Sequence, residues 1–176
     1  MTHGQTQYQV RFDWGVRGLD AIGDGADVAV WVDVLGDSPA IESRATVVRG
    51  SLRNRGAVAE WVLAQQGDKG ERFMVAIVAA GELWDDGSTR FAVEDLLAAG
   101  SIIDALADVG IDYCSPEAAA ASAAFTGLRN ATGHLIGASA SGRTLAAEGR
   151  RAEIDEAIEL DASSEVPTVG EFGRPA

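Results

Sequence analysis

Cysteine, histidine and proline are scarce here, with one Cys, two His and four Pro among 176 residues. The lone Cys114 has no partner for an internal disulfide, and so few thiols and imidazoles exclude the usual four-ligand zinc centre. Any metal would be a hard cation held by oxygen. Positive charge is also short: 14 Lys and Arg stand against 27 Asp and Glu, a net charge of −13. Such a surface repels a phosphodiester backbone or an anionic bilayer, so no nucleic-acid partner is expected. No apolar run approaches the ~20 residues of a bilayer span. The opening "MTHGQTQYQVRFDWG" lacks the cationic end and apolar core of a signal peptide. No membrane partner and a cytoplasmic location are therefore expected.

What is present is apolar patterning. Four segments read as strands: "YQVRF" (8–12), "DVAVWVDVL" (27–35), "ATVVRG" (45–50) and "RFMVAIVAAG" (72–81). The second and fourth are nearly continuous, as in strands covered on both faces. Between the third and fourth, "SLRNRGAVAEWVLAQQG" predicts a helix capped by Ser51 and ended by Gly67, with Leu52, Gly56, Ala59, Val62 and Leu63 on one face. After Arg90 only helices are predicted. "SPEAAAASAAF" begins with Ser115 as cap, Pro116 in the first helical position and Glu117 in the first turn. "GLRNATGHLIG" reads as a weak helix with Leu128, Ala131 and Leu135 on one face, and "SGRTLAAEGRRAEIDEAIELD" as a broken helix or two short ones. The predicted fold is α/β: a mainly parallel sheet of about four strands, helices on both faces and a helical C-terminal half. Residues 1–162 are expected to form one domain, and residues 163–176 an extended tail.

The acidic residues are placed unevenly. Projecting the helix from Phe91 puts Leu96, Ala99, Ile103, Leu106 and Ala107 on an apolar arc, with Glu94, Ser101, Asp104 and Asp108 opposite. Asp95 falls inside the apolar side, where an ionised carboxylate is costly unless paired. Two explanations stay open: hydrogen bonding at the helix start, or a place in a cleft at the carboxyl ends of the strands. Asp33 and Glu82 sit at two strand ends, so Asp33, Glu82 and Asp95 form a candidate site for a divalent cation. Each has a plainer alternative, Asp33 as a turn former and Glu82 with Asp85 and Asp86 as an acidic loop. No GxGxxG, P-loop or GxSxG pattern occurs, and His134 is a weak candidate base. "RGSLRN" and "SASGRTL" each lead into a helix N-terminus and suit an anion.

The run "AGELWDDGSTRFAVEDLLAAGSIIDAL", then "SPEAAAASAAF", then "SASGRTL", resembles the 2-phosphosulfolactate phosphatase family, whose AGER, DGS-R-A-ED, Ser-Pro-Glu-Ala and SGREL segments occur in this order. "VAVWVDVL" and "SLRNRGAVAEWV" also look like family segments. The resemblance implies an α/β, Mg²⁺-dependent phosphatase acting on a small phosphorylated substrate. By the same resemblance, Glu82, Glu94 and Asp95 are the catalytic candidates, and Ser139, Ser141 and Arg143 the substrate-binding ones. Asp33, Glu82 and Asp95 remain the metal candidates, and self-association is left open.

The chain also departs from that pattern. "GDSPA" stands where the family has Arg-Ala-Thr-Thr-Thr, two family segments have no counterpart, and Leu83 replaces the Arg of AGER. A lost preorganised donor costs on the order of 10²–10³ in rate. Two expectations follow: a phosphatase with a reduced site, or a non-catalytic relative that binds a small anion or a protein partner.

Overall fold

The computed structural model describes residues 4–36, 41 and 46–169. Four parallel strands, β1 (Val10–Trp14), β2 (Val28–Val32), β3 (Thr46–Gly50) and β4 (Val75–Ala79), form a sheet in the order β1-β4-β2-β3. β2 and β4, the inner pair, are buried along their whole length. This is why their sequences are continuous rather than alternating. All four predicted strands form, with ends shifted by a few residues.

Helices cover both faces. On one side α2 (Arg55–Lys69), α3 (Val93–Asp108) and α4 (Pro116–Leu128) pack on Val28, Val30, Val32, Val75 and Ile77. On the other side α1 (Gly15–Ile22) covers Ala29, Trp31, Ala76 and Val78 with Leu19 and Ile22. The strand residues alternate between these two clusters with the period of two that a pleated strand imposes.

Local signals explain most boundaries. Ser51 and Asn54 form a capping box ahead of α2, joined to it by a short 3-10 turn at Leu52–Asn54. α2 ends at Gly70, in the left-handed region (φ 73°), not at the expected Gly67, which lies inside the helix. Its inward face is Val58, Ala59 and Val62, while Leu63 is exposed. α4 starts as predicted, with Ser115 accepting the Ala118 N–H at 3.1 Å and Pro116 following. α5 (Thr132–Ala138), α6 (Ala140–Ala147) and α7 (Arg151–Ala157) follow, so "SGRTLAAEGRRAEIDEAIELD" is two helices. α5 buries Thr132 and Ile136, one step round from the expected Leu128–Leu135 face.

Two expectations are corrected. α1 was not foreseen, because "GVRGLDAI" is short and carries two glycines. α3 is not half solvated: Glu94 and Ser101 are buried along with its apolar residues, as α4 packs along α3 and Ser141 of α6 meets Glu94. Ser101 is satisfied by donating to the Ala98 carbonyl at 2.7 Å.

In the described part of the tail, the Val169 N–H donates to Val47 O at 2.7 Å and the Arg49 N–H to Pro167 O at 2.8 Å. The segment thus runs antiparallel along the outer edge of β3 as an extended arm. Residues 170–176 of the expected tail lie outside the described residues.

The α3–α4 contact depends on Gly100, where a Cβ would stand 2.1 Å from the Ala121 carbonyl oxygen. Gly100→Ala is therefore expected to cost about 1–3 kcal/mol, seen as a fall in melting temperature of about 2–4 °C per kcal/mol. Gly127→Ala, in α4 with open space around it, should be neutral or stabilising by up to about 1 kcal/mol. Equal effects at the two positions would contradict this packing.

Candidate functional site

At the carboxyl ends of β1, β2 and β4 the chain opens a cavity of about 560 Å³. Gly15 to Arg17 come from the end of β1, Asp33, Leu35 and Gly36 from the end of β2, and Ala80 to Leu83 from the end of β4. Glu94 and Asp95 enter from the first turn of α3, and Ser141 from the first turn of α6. This edge is where open α/β sheets hold ligands.

A small hairpin of β5 (Glu82–Leu83) and β6 (Thr89–Arg90) forms one rim. Gly15 (φ 62°) and Gly81 (φ 66°) let it sit against the sheet edge, since a Cβ at either would stand 2.5 Å from Thr89 Oγ1 or 2.6 Å from Arg90 O. The intervening acidic stretch is a turn in which Asp86 accepts from the Ser88 N–H at 2.9 Å and the Ser88 hydroxyl at 2.6 Å. Asp85 is exposed and does not line the cavity.

Asp95 is 2% exposed and accepts two backbone N–H groups, from Val34 on Oδ1 and Gly81 on Oδ2, each at 2.9 Å. These donors follow β2 and β4, so one carboxylate joins two strand ends. Its pKa is nevertheless pushed from the ordinary 3.8 up to about 8. Burial is the main cause, reinforced by Asp33 and Glu94, while the two N–H bonds act in the opposite sense.

Glu94 is 3% exposed, not on a solvated arc as the helical projection suggested. It meets Glu82 across the hydroxyl of Ser141: Ser141 Oγ lies 2.5 Å from Glu94 Oε1 and also contacts Glu82 Oε1. A hydroxyl has one proton, so only one of these carboxylates receives it. Glu82 is paired on its other oxygen with Arg90, its cross-strand neighbour, whose guanidinium lies 5.3 Å from the centre of the Trp84 ring.

The sequence candidates therefore divide. Asp33, Glu82, Glu94, Asp95 and Ser141 share the cavity. Ser139 is the N-cap of α6, accepting the Gly142 N–H at 3.1 Å, and Arg143 is exposed and outside the lining. The trio Asp33, Glu82 and Asp95 is not gathered: among the described residues no three His, Cys, Asp or Glu side chains are placed to hold one ion. The oxygens that do converge belong to Glu82, Glu94 and Ser141. Arg17, Trp31 and Arg90 were missed as site residues. Arg17 had no signal, because α1 was not read as a helix, while Arg90 lay in the "DGSTR" run without being singled out.

An acidic cleft at the carboxyl edge of a parallel sheet, with hard oxygen donors from three elements, defines an α/β protein suited to a small ligand. The family model for 2-phosphosulpholactate phosphatase matches residues 39–171, and the chain belongs to that family. No curated protein matches the chain. Among the described residues no helix is long and apolar enough to cross a membrane.

The raised pKa of Asp95 has a defined sign. Its folded state holds a proton that the unfolded chain releases near 3.8, so its contribution to stability declines as pH rises from there through about 8. In Asp95→Asn that slope disappears, and an amide hydrogen also faces one of the two N–H donors. Melting temperatures of the wild type should exceed those of the variant most near pH 4–5, with the gap narrowing through about pH 8. A gap that stays constant from about pH 5 to pH 8 would show Asp95 to be ionised throughout.

Proposed function

We propose that the protein is a Mg²⁺-dependent phosphoric monoester hydrolase of the 2-phosphosulfolactate phosphatase type, acting on a small phosphate monoester. The observation that carries this reading is the meeting of Glu82, Glu94 and Ser141 on the wall of the cavity. Two carboxylate oxygens facing a hydroxyl with a single proton form a hard, electron-rich donor set. This suits Mg²⁺, which takes one or two carboxylates and completes its shell with water and phosphate oxygens.

Glu82 and Glu94 would hold the ion, with the Ser141 hydroxyl beside them. When bound, Mg²⁺ supplies a Lewis acid that offsets charge on the phosphoryl oxygens. Arg17, also among the lining residues, would add a guanidinium for the same oxygens. Asp33, on the lining just after β2 and accepting the Gly36 N–H at 2.9 Å, would take a proton from the attacking water and return it to the alkoxide released as the P–O bond breaks. Asp95, with both oxygens engaged by backbone, acts by holding the ends of β2 and β4 in place and is a positioning residue.

A second reading, a relative that binds a small anion or a protein partner without turnover, is favoured by the scarcity of cations in the cavity. Arg17 is the single Lys or Arg among its described lining residues, and Arg143 lies outside.

Glu94→Gln and Ser141→Ala should each lower Mg²⁺-dependent hydrolysis of a monoester by about 10²-fold or more, and Glu94→Gln should also weaken Mg²⁺ binding by calorimetry. Arg143→Ala should change turnover little. No Mg²⁺ binding at millimolar concentration and no turnover across a set of monoesters, 2-phosphosulfolactate included, would favour the second reading.

A further inference from the structure

We propose that the cavity takes a phosphate monoester with an apolar alkyl or aryl body rather than one bearing further acid groups, and that Leu83 selects for it. This rests on the reading of the cavity as a phosphate monoester site.

Charge is the first argument. Besides the buried Asp95, whose oxygens are taken by backbone N–H groups, the described lining holds three carboxylates, Asp33, Glu82 and Glu94, against one guanidinium, Arg17. The nearby Arg90 is committed to Glu82. Among the described residues, even a bound divalent cation leaves no surplus positive charge for a second or third anionic group on the ligand. An added carboxylate or sulfonate would be desolvated beside acidic walls without a partner.

The second argument is the rim. Leu83 lines the cavity and is 73% exposed, and Val16, facing the same cavity, is 53% exposed. Apolar side chains left in water around a concave site mark a surface that is covered when the site is filled. The acidic interior provides for one phosphoryl group with its cation, and the rim provides for an apolar body.

The test compares non-hydrolysable probes sharing the phosphonate group, benzylphosphonate and 3-phosphonopropionate, by calorimetry with Mg²⁺ present. Turnover of phenyl phosphate and 3-phosphoglycerate is followed alongside. Wild type should bind benzylphosphonate at least about tenfold more tightly, since one methylene in an apolar pocket already discriminates by about 10- to 200-fold. Leu83→Arg, at an exposed position that folding tolerates, should narrow or reverse that ratio. Leu83→Met should keep it.

Equal or tighter binding of the carboxylate-bearing probe by wild type, binding of neither probe, or an unchanged ratio in Leu83→Arg would overturn the proposal. Retained preference for benzylphosphonate without turnover of either ester would support it while removing the phosphatase reading. Turnover that favours 3-phosphoglycerate would do the reverse.

Discussion

The carboxylate of Asp95, shared between the Val34 and Gly81 N–H groups, is the constraint on which the site depends. Strands leave their last N–H groups without ladder partners where the chain turns away from the sheet, and a buried donor without an acceptor is costly. Here α3 delivers one side chain that satisfies the turns after both inner strands. The arrangement places a carboxylate at 2% exposure, with Asp33 and Glu94 adding like charge nearby. Fixing the strand ends therefore comes at the cost of a carboxylate that burial makes reluctant to ionise. The same contact sets where Asp33 and Glu82 stand, because each is within one residue of a bonded N–H.

The sheet was legible because burial on both faces makes β2 and β4 continuous apolar runs, a pattern few other elements produce. α4 was legible because Ser115, Pro116 and Glu117 act locally, without reference to the rest of the fold. Glu94 was misread because a helical projection assumes one buried arc. α3 instead has the sheet on one side and α4 on the other, so its small residues are buried nearly all round. Asp95 stood out as a carboxylate among apolar positions, yet its partners could not be named, since backbone N–H groups look alike in every sequence. Arg17 entered the site through α1, whose two glycines hide the helix that carries it.

Proton counting around Ser141 links the C-terminal half to the sheet. α6 starts with Ser139 capping its own N-terminus, which orients the first turn and brings Ser141 between Glu82 and Glu94. Arg90 offsets the charge of Glu82 through the short hairpin, but Glu94 has no such partner among the described contacts. One hydroxyl proton cannot serve both acids. A hard cation, if bound as proposed, would offset that charge, which a water molecule would not, since water adds none. The net excess of acid in the chain, −13, makes the same point at larger scale: an anion approaches this edge more readily with a cation beside it.

Site and core are then mechanically one unit. Glu94 and Asp95 lie in the first turn of α3, and α3 is seated against α4 by the close approach of Gly100 to the Ala121 carbonyl. Close-packed interiors transmit a displacement rather than absorb it. A shift of α3 outward at Gly100 would carry its first turn with it, lengthening the bonds from Asp95 to the two strand ends. It would also move Glu94 away from Ser141. The precision of the cavity thus depends on the absence of a side chain at Gly100, a position outside the cavity lining.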